Sequence, residues 1–450
     1  MAKTAIIGAG IAGLSAAWYL SEKHPDDEIT IFESDRKGGV IHTEVYENAL
    51  LESGPGYVIA DNPAFHELCS EIGISDLLLP AKDKKIFYRN QAYQQKVPSD
   101  FLSFENNFLS FLGSGFNSFF AMKKKVSLWG DTSLFDLLKA TYGQSYTETL
   151  GSVYSRFAFR NEIENIDFSS NFPQLKSSME SQEILKSVLS DMKKKRPEYW
   201  KSIYSAEAMA NFKPDFYSVK GGLSVFIDKL SESLKAKPNV QFEFEKIQGI
   251  KKEPHAHLNS KKRKFGPFDH VLFAMPVGDA ATILKSADKP LADKLSDLKK
   301  HSVNVIYSAW AKKNIQTAGF AYYMPRKENL SVYGMEFIGN AFPEQSPEKM
   351  FIMRMILPGD LSMLSDDDII SLTETDLKKT FSLTDQPAWS KVYRQQNAHA
   401  KRDKGYKNWK KDVQELVENH KNITMIGSDF QGPGLANLLE QTKQLIADDF

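Results

Sequence analysis

Apolar positions along the chain keep two rhythms. Near the start, Thr4-Ala5-Ile6-Ile7 and Ile29-Thr30-Ile31-Phe32 are short, nearly unbroken apolar runs, the pattern of strands buried on both faces. Between them, small residues through Leu14, Ala16, Ala17 and Leu20 predict a helix. Phe65, Leu68 and Ile72 return at helical spacing and predict a helix within 63–79 that ends at Gly73. Lys85–Tyr93 predicts two short strands about a polar turn, and residues 99–210 are helix-rich. After Gly221-Gly222, Phe226, Ile227 and Leu230 share one face of an amphipathic helix. Val240–Phe244 with Ile247 predicts a strand region, and Phe268–Pro276 another. Strand patterns dominate 302–357, in Val303–Tyr307, Phe320–Met324 and Met353–Leu357. Ile423–Gly427 is a last buried strand, with a helix from Leu435.

The turns between these elements carry the chemistry. Gly8, Gly10 and Gly13 stand at G-x-G-x-x-G spacing between the first strand and helix, and Glu33 ends the second strand twenty residues after Gly13. This is a dinucleotide-binding pattern. Gly8 allows a tight turn, Gly10 lets backbone approach a pyrophosphate, and Gly13 lets helix and strand pack closely. Ile11 and Ala12 open the helix, whose free N–H groups and dipole favour phosphate. Glu33, an acceptor only when ionised, suits ribose hydroxyls. Next comes Glu33-Ser34-Asp35-Arg36-Lys37-Gly38-Gly39. An acid, an arginine and paired glycines at this place resemble the signature of FAD enzymes of the amine oxidase type. Arg36 can neutralise pyrophosphate charge, and Gly38 and Gly39 let the chain pass near the flavin end.

Gly39-Val40 and Leu51-Glu52-Ser53-Gly54-Pro55-Gly56 continue that flavin pattern, with Glu52 read either as functional or as an exposed turn acid. Near the end, Gly427-Ser428-Asp429 and Gly432-Pro433-Gly434 precede Leu435 and Ala436. Asp429 can accept from ribityl hydroxyls or serve as a helix cap. The helix start at Gly434, Leu435 and Ala436 can stabilise negative charge on the flavin N1/C2=O side. Ile247 lies in the segment expected beside the adenine.

Length, composition and charge set bounds on this reading. At 450 residues, two or three lobes are expected. Net charge is zero, so nothing global points to nucleic acid. Basic runs at 123–125, 193–196 and 261–264 read as solvated faces. Cys69, the single cysteine, forms no intrachain disulfide and reads as a small buried residue, so FAD is expected to be non-covalent. No apolar run is long enough to cross a membrane, and the first strand leaves no room for a cleaved signal, so a cytoplasmic protein is expected. Phe101, Phe104, Phe108, Phe111, Phe116, Phe119 and Phe120 run up to Lys123. They read as helical core, with a membrane-surface patch or the wall of a substrate channel as the sharper alternative.

Over nearly its whole length the chain resembles the protoporphyrinogen oxidase family of the amine oxidase superfamily. The flavin motifs are shared by the superfamily. Gly319–Arg326, Gly334–Pro343 and Ser346-Pro347-Glu348 resemble the substrate-domain strands of the family itself, with Asp366–Leu377, Val392–Arg394 and Gly405-Tyr406 at fitting spacing. The resemblance implies a mixed α/β fold. A Rossmann-like FAD domain would be built from 1–85, 211–285 and 411–450. Into it are inserted an antiparallel substrate sheet (hairpin 86–98, then 286–410) and a helical lobe, 99–210. It also implies oxidation of a porphyrinogen, a tetrapyrrole, by six electrons, with hydride passing to flavin N5 and O2 as acceptor. Such chemistry asks for positioning and an apolar pocket more than for a strong base. A homodimer and a peripheral membrane contact are left open.

The chain departs from the family in three places. Asp61-Asn62-Pro63-Ala64-Phe65 has no basic residue for a propionate, a Pro-Gln-Tyr stretch reads Ala400-Lys401-Arg402, and the last motif reads Phe430-Gln431-Gly432-Pro433-Gly434. Arg156, Arg160, Arg326, Arg354 or Lys401 could hold carboxylates instead, surface or structural charge being the plain alternative. Tyr322, Tyr323 and Lys401 are the expected substrate-side residues, and an amine oxidase would need Tyr322, Tyr323 and Tyr406 as a cage. An isoprenoid desaturase and a non-catalytic FAD-binding partner protein are the other readings.

Overall fold

Both ends of the chain meet in one five-stranded parallel sheet. Its order is Val240–Glu243, Glu28–Phe32, Lys3–Ile7, His270–Phe273 and Ile423–Met425. The structure is a computed structural model and describes residues 1–90, 93–96, 132–171, 198–251, 254–315, 317–420 and 422–450. The phenylalanine-rich stretch and the basic runs 123–125 and 193–196 lie outside these residues. The fold is mixed α/β.

Alternation along the first strand serves two layers. Ile6 packs with the helices Ile11–Lys23, Leu223–Lys235 and Leu435–Asp449, while Ala5 and Ile7 face a layer made by Val277–Leu284 and Lys289–Ser296. Lys23 of the first helix donates through Nζ to the carbonyls of Ile446 and Ala447 at 3.0 and 2.9 Å, tying the first helix to the last. Cys69 is buried in the core.

Two expected strand regions each split in two. Val240–Glu243 joins the parallel sheet, but Glu245 N–H closes a tight reversal onto Glu243 O, at 3.0 Å. Ile247 therefore opens a new strand, Ile247–Lys251, in an antiparallel sheet with Ala256–Ser260 and Lys264–Phe268. The second region breaks at Asp269, whose Oδ2 accepts the Lys3 N–H at 2.8 Å. Lys264–Phe268 stays antiparallel, and His270–Phe273 enters the parallel sheet.

A seven-stranded sheet forms the second layer. Its order is Trp389–Ala400, Lys300–Ala311, Met350–Pro358, Gly334–Phe337, Ala321–Tyr323, Ile86–Asn90 and Tyr93–Lys96. Pairing is antiparallel except where Ala321–Tyr323 meets Ile86–Asn90, because the hairpin is delivered from a distant part of the chain. Trp389–Ala400 is a long strand whose mixed polar sequence hides it, since one of its sides is an edge. Helix Asp366–Phe381, started by a capping box of Ser365 and Asp368, covers one face over Met335, Met353 and Met355. The described parts of the lobe, 132–171 and 198–210, are largely helical, with an isolated bridge between Ser133 and Asp167.

One buried carboxylate ties these parts together. Glu336 accepts from Tyr323 Oη at 2.6 Å and Tyr57 Oη at 3.2 Å, and pairs with Arg160 at 3.2 Å and Arg354 at 2.5 Å. Arg354 also donates to the Gly54 carbonyl at 2.7 Å. Burial pushes the Glu336 carboxyl up, but the two guanidinium groups outweigh it and hold the group below its usual range. Glu336→Gln removes that charge and leaves two buried cations facing each other. It is expected to cost about 3–5 kcal/mol, read from urea unfolding of the flavin-loaded protein.

Candidate functional site

The two glycine turns at the start of the chain sit directly against each other. Gly38 N–H donates to Ala9 O at 2.8 Å, and Gly10 bridges Gly38 in parallel. Gly8 has φ +110°, and a Cβ there would lie 2.4 Å from Ala274 O. A Cβ on Gly13 would lie 1.9 Å from Gly8 O, so helix and strand can approach only because Gly13 lacks one. Gly10 differs: a Cβ there would meet nothing within 4 Å. The space over Gly10 is open, as the approach of a pyrophosphate requires.

Helix Ile11–Lys23, which opens with Ile11 and Ala12, has no side-chain cap and no acid in its first turn. Helix Leu435–Asp449, with Gly434 before it and Leu435 and Ala436 at its start, has neither as well. Several other helices do carry caps, from Ser133, Ser205, Asp288 and Ser365. The first and last helices thus leave N–H groups and positive dipole ends available to an anion. Glu33 holds the Ala9 N–H at 2.8 Å through Oε2 and the Ser34 and Asp35 N–H groups at 2.7 and 2.9 Å through Oε1. Oε2, with a single donor, keeps acceptor capacity for a hydroxyl. Arg36 and Val40 are exposed, and Arg36 has no acidic partner among the described residues. Gly54 presses on Val40, where a Cβ would lie 1.9 Å from the Val40 carbonyl, and Gly56, after Pro55, packs on Arg354.

Two acids expected near a flavin have structural work. Asp429 Oδ2 accepts the Val277 N–H at 3.1 Å and Lys300 Nζ at 2.9 Å, leaving Oδ1 buried without a partner. Glu52 is neither exposed nor in an open turn. It is buried, accepts the Leu223 N–H at 2.8 Å and is held by Thr43 Oγ1. Both carboxylates therefore cap helices whose own N-cap residues, Pro276 and Gly222, offer no side-chain acceptor.

The expected substrate-side residues are not brought together. Tyr323 lies in the Glu336 cluster, but its neighbour Tyr322 points to the opposite face of the sheet, among Phe87, Phe337 and Phe381. Tyr406 is buried and donates to Asp429 O at 2.7 Å. Lys401 pairs by its backbone N–H with Lys299 O at 2.8 Å. Arg156, Arg160 and Arg354 are structural rather than surface charges: Arg156 holds Met324 O and Glu162, and the other two hold Glu336. Arg326 is on the surface with Glu164.

A small cleft, with about 40 Å³ of room for water-sized occupants, opens between the lobe, the end of the seven-stranded sheet and the C-terminal glycine turn. His301, His399, Arg402, Ser428 and Pro433 line it. His301 and His399 face each other across paired strands, ring centroids 5.3 Å apart. This pair went unread because the two histidines stand far apart in the sequence and only strand register joins them.

The model of the family described as flavin containing amine oxidoreductase matches residues 11–435. A coproporphyrinogen III oxidase of Staphylococcus aureus is 24% identical, covering 98% of this chain and 97% of its own length. The crystal structure of "Putative protoporphyrinogen oxidase" from Exiguobacterium sp. 255-15 superposes with TM-score 0.75 at 19% identity, over 99% of this chain and 98% of that one. Reduced UDP-galactopyranose mutase superposes with TM-score 0.70 at 13% identity, over 99% of this chain and 93% of that one. Likeness at this level shows the fold, which a mutase shares.

The glycine geometry separates binding from folding. Gly10→Ala is expected to leave apo-protein stability within about 0.5 kcal/mol while abolishing flavin retention. Gly13→Ala is expected to lose folded protein outright; thermal melts of apo-protein and the flavin-to-protein absorbance ratio check both. Burial pushes the Glu52 carboxyl up to about 7, against the Leu223 N–H, Thr43 and Arg354, from an ordinary 4.5. Its contribution to stability is then complete below the ordinary value and is lost as pH rises through about 7. Relative to Glu52→Gln, the wild type should lose about 3 kcal/mol between pH 5 and 8 in urea titrations.

Proposed function

The chain belongs to the flavin-containing amine oxidoreductase family, and from that premise we propose that it oxidises a porphyrinogen to the porphyrin with non-covalently held FAD and O2 as acceptor. The observation that carries the cofactor is the pairing of an open Gly10 with two uncapped helix starts, one from each end of the chain. Gly8, Gly10, Ile11, Ala12 and Gly13 would hold the pyrophosphate with Arg36, and Glu33 and Ser34 the ribose. Gly38, Gly39, Val40 and Gly54-Pro55-Gly56 would border the flavin end, Leu435 and Ala436 its N1 side, and Ile247 the adenine. Asp429 would offer its unpartnered Oδ1 to the ribityl chain. Burial of Cys69 in the core supports non-covalent binding.

The flavin supplies the two-electron acceptor and the route to O2. The chain's own residues then have to bind, orient and exclude water. The site's geometry is in keeping with that division. Glu336 is locked between two arginines, burial presses the cleft histidines down to about 4 and 3, and Glu52, the carboxyl raised to about 7, is buried against the Leu223 N–H and Thr43. Similarity to coproporphyrinogen III oxidases over nearly the full length favours a porphyrinogen as the electron donor. The domain division at 1–85, 86–98, 99–210, 211–285, 286–410 and 411–450 belongs to the same proposal.

Anaerobic stopped-flow mixing with coproporphyrinogen III and, separately, protoporphyrinogen IX tests it. Bleaching of the flavin band by one of them, followed by porphyrin fluorescence on admitting air, is expected. A flavin that dithionite reduces but neither porphyrinogen bleaches would overturn the substrate assignment and turn attention to amines and isoprenoids.

A further inference from the structure

The cleft beside the C-terminal glycine turn is built for an anion. Arg402 has no carboxylate partner among the described residues, and its Nη2 is buried without a hydrogen bond. The guanidinium stacks over the Tyr406 ring, 4.9 Å from its centroid, and lies close enough to Gly432 that a Cβ there would sit 2.9 Å from Nη2. Leaving a buried charged donor unpaired is costly unless something else arrives to pair it. Beside it, both ring nitrogens of His301 are buried without partners. No acid lines the cleft.

The charges facing the histidines from neighbouring elements are all of one sign. Burial, Lys401 and Lys300 press His301 to about 4, and burial, His301, Arg160 and Lys300 press His399 to about 3. Lys300 is itself paired to Asp429 and Arg160 to Glu336, so neither is free to serve a ligand. Lys401 has no acid partner among the described residues either, but it does not line the cleft; Arg402 is the unpaired charge that does. A neutral imidazole adds one N–H donor and no competing charge.

We propose that Arg402, with the N–H of His301, binds a carboxylate of the substrate, in a chain whose segment Asp61–Phe65 has no basic residue to do so. This rests on the porphyrinogen reading, since the side-chain carboxylates of that macrocycle are the natural occupant. The role is one of binding and orientation: Arg402 would fix which edge of the ring enters the cleft. Backbone contacts of Arg402, from Asp167 N–H and Asn171 to its carbonyl, do not depend on its side chain.

The test compares coproporphyrin III with its tetramethyl ester, binding each to flavin-loaded enzyme in one detergent buffer by fluorescence titration. Wild type should prefer the acid by about 30-fold, Arg402→Gln should erase the preference and Arg402→Lys should restore part of it. KM for coproporphyrinogen should rise in Arg402→Gln by a similar factor while kcat moves little. An acid-to-ester ratio unchanged in Arg402→Gln and in His301→Phe overturns the proposal, and the porphyrinogen reading stands if wild type still turns over. If wild type neither binds nor oxidises any tetrapyrrole, the porphyrinogen reading falls, and calorimetry with 4-phenylbutyrate judges the cleft alone. Binding that Arg402→Gln abolishes keeps the anion site; no binding ends it.

Discussion

Glu336 is the constraint on which the arrangement of layers depends. It lies in the middle of the larger sheet, and its partners are Tyr323 and Arg354 on the two flanking strands together with Tyr57 and Arg160 from distant parts of the chain. Through Arg354 it also reaches the Gly54 carbonyl, within the turn that packs on Val40. A buried ion pair earns little net stability from its attraction, but taking away one partner is expensive. Its service is therefore to geometry. Two cations and one anion can be satisfied in one arrangement, and that arrangement fixes the helical lobe and the larger sheet against the turn at Gly54.

A second economy runs through the site. Helix starts need acceptors, and two of them, at Leu223 and Val277, take theirs from carboxylates elsewhere in the chain. The first and last helices take none. Tyr406–Glu418 likewise starts without a side-chain cap or an acid in its first turn, so an uncapped start is not by itself the mark of a ligand; the open approach over Gly10 is what sets the first helix apart.

Much of this was legible in the sequence, and for physical reasons. Gly8, Gly10 and Gly13 each solve a separate steric problem, so their spacing carries the turn, the open approach and the close packing. The long strands Lys300–Ala311 and Met350–Pro358 announce themselves by apolar content. Trp389–Ala400 does not, because an edge strand can be half polar, and Asp215–Val219 pairs with strands of three residues that leave no pattern. The acids misled. Glu52 and Asp429 stand beside glycine turns as functional acids do, but whether a carboxylate meets a ligand or a backbone N–H depends on what folds back onto it. Tyr322 and Tyr323 show the same limit in smaller compass: neighbours in a strand face opposite ways, and sequence does not say which way is inward.

The order of strands in the parallel sheet has a consequence for how the protein is made. Lys3–Ile7 pairs on one side with His270–Phe273, which in turn pairs with Ile423–Met425. During synthesis, the first glycine turn leaves the ribosome with most of its neighbours still unwritten. The sheet behind it closes only when nearly the whole chain has emerged, and loop closure over such distances is slow. Until then, the apolar first strand must be kept from other partners. Assembly of the sheet behind the first glycine turn thus waits on the emergence of Ile423–Met425 and not on the early appearance of the motif itself.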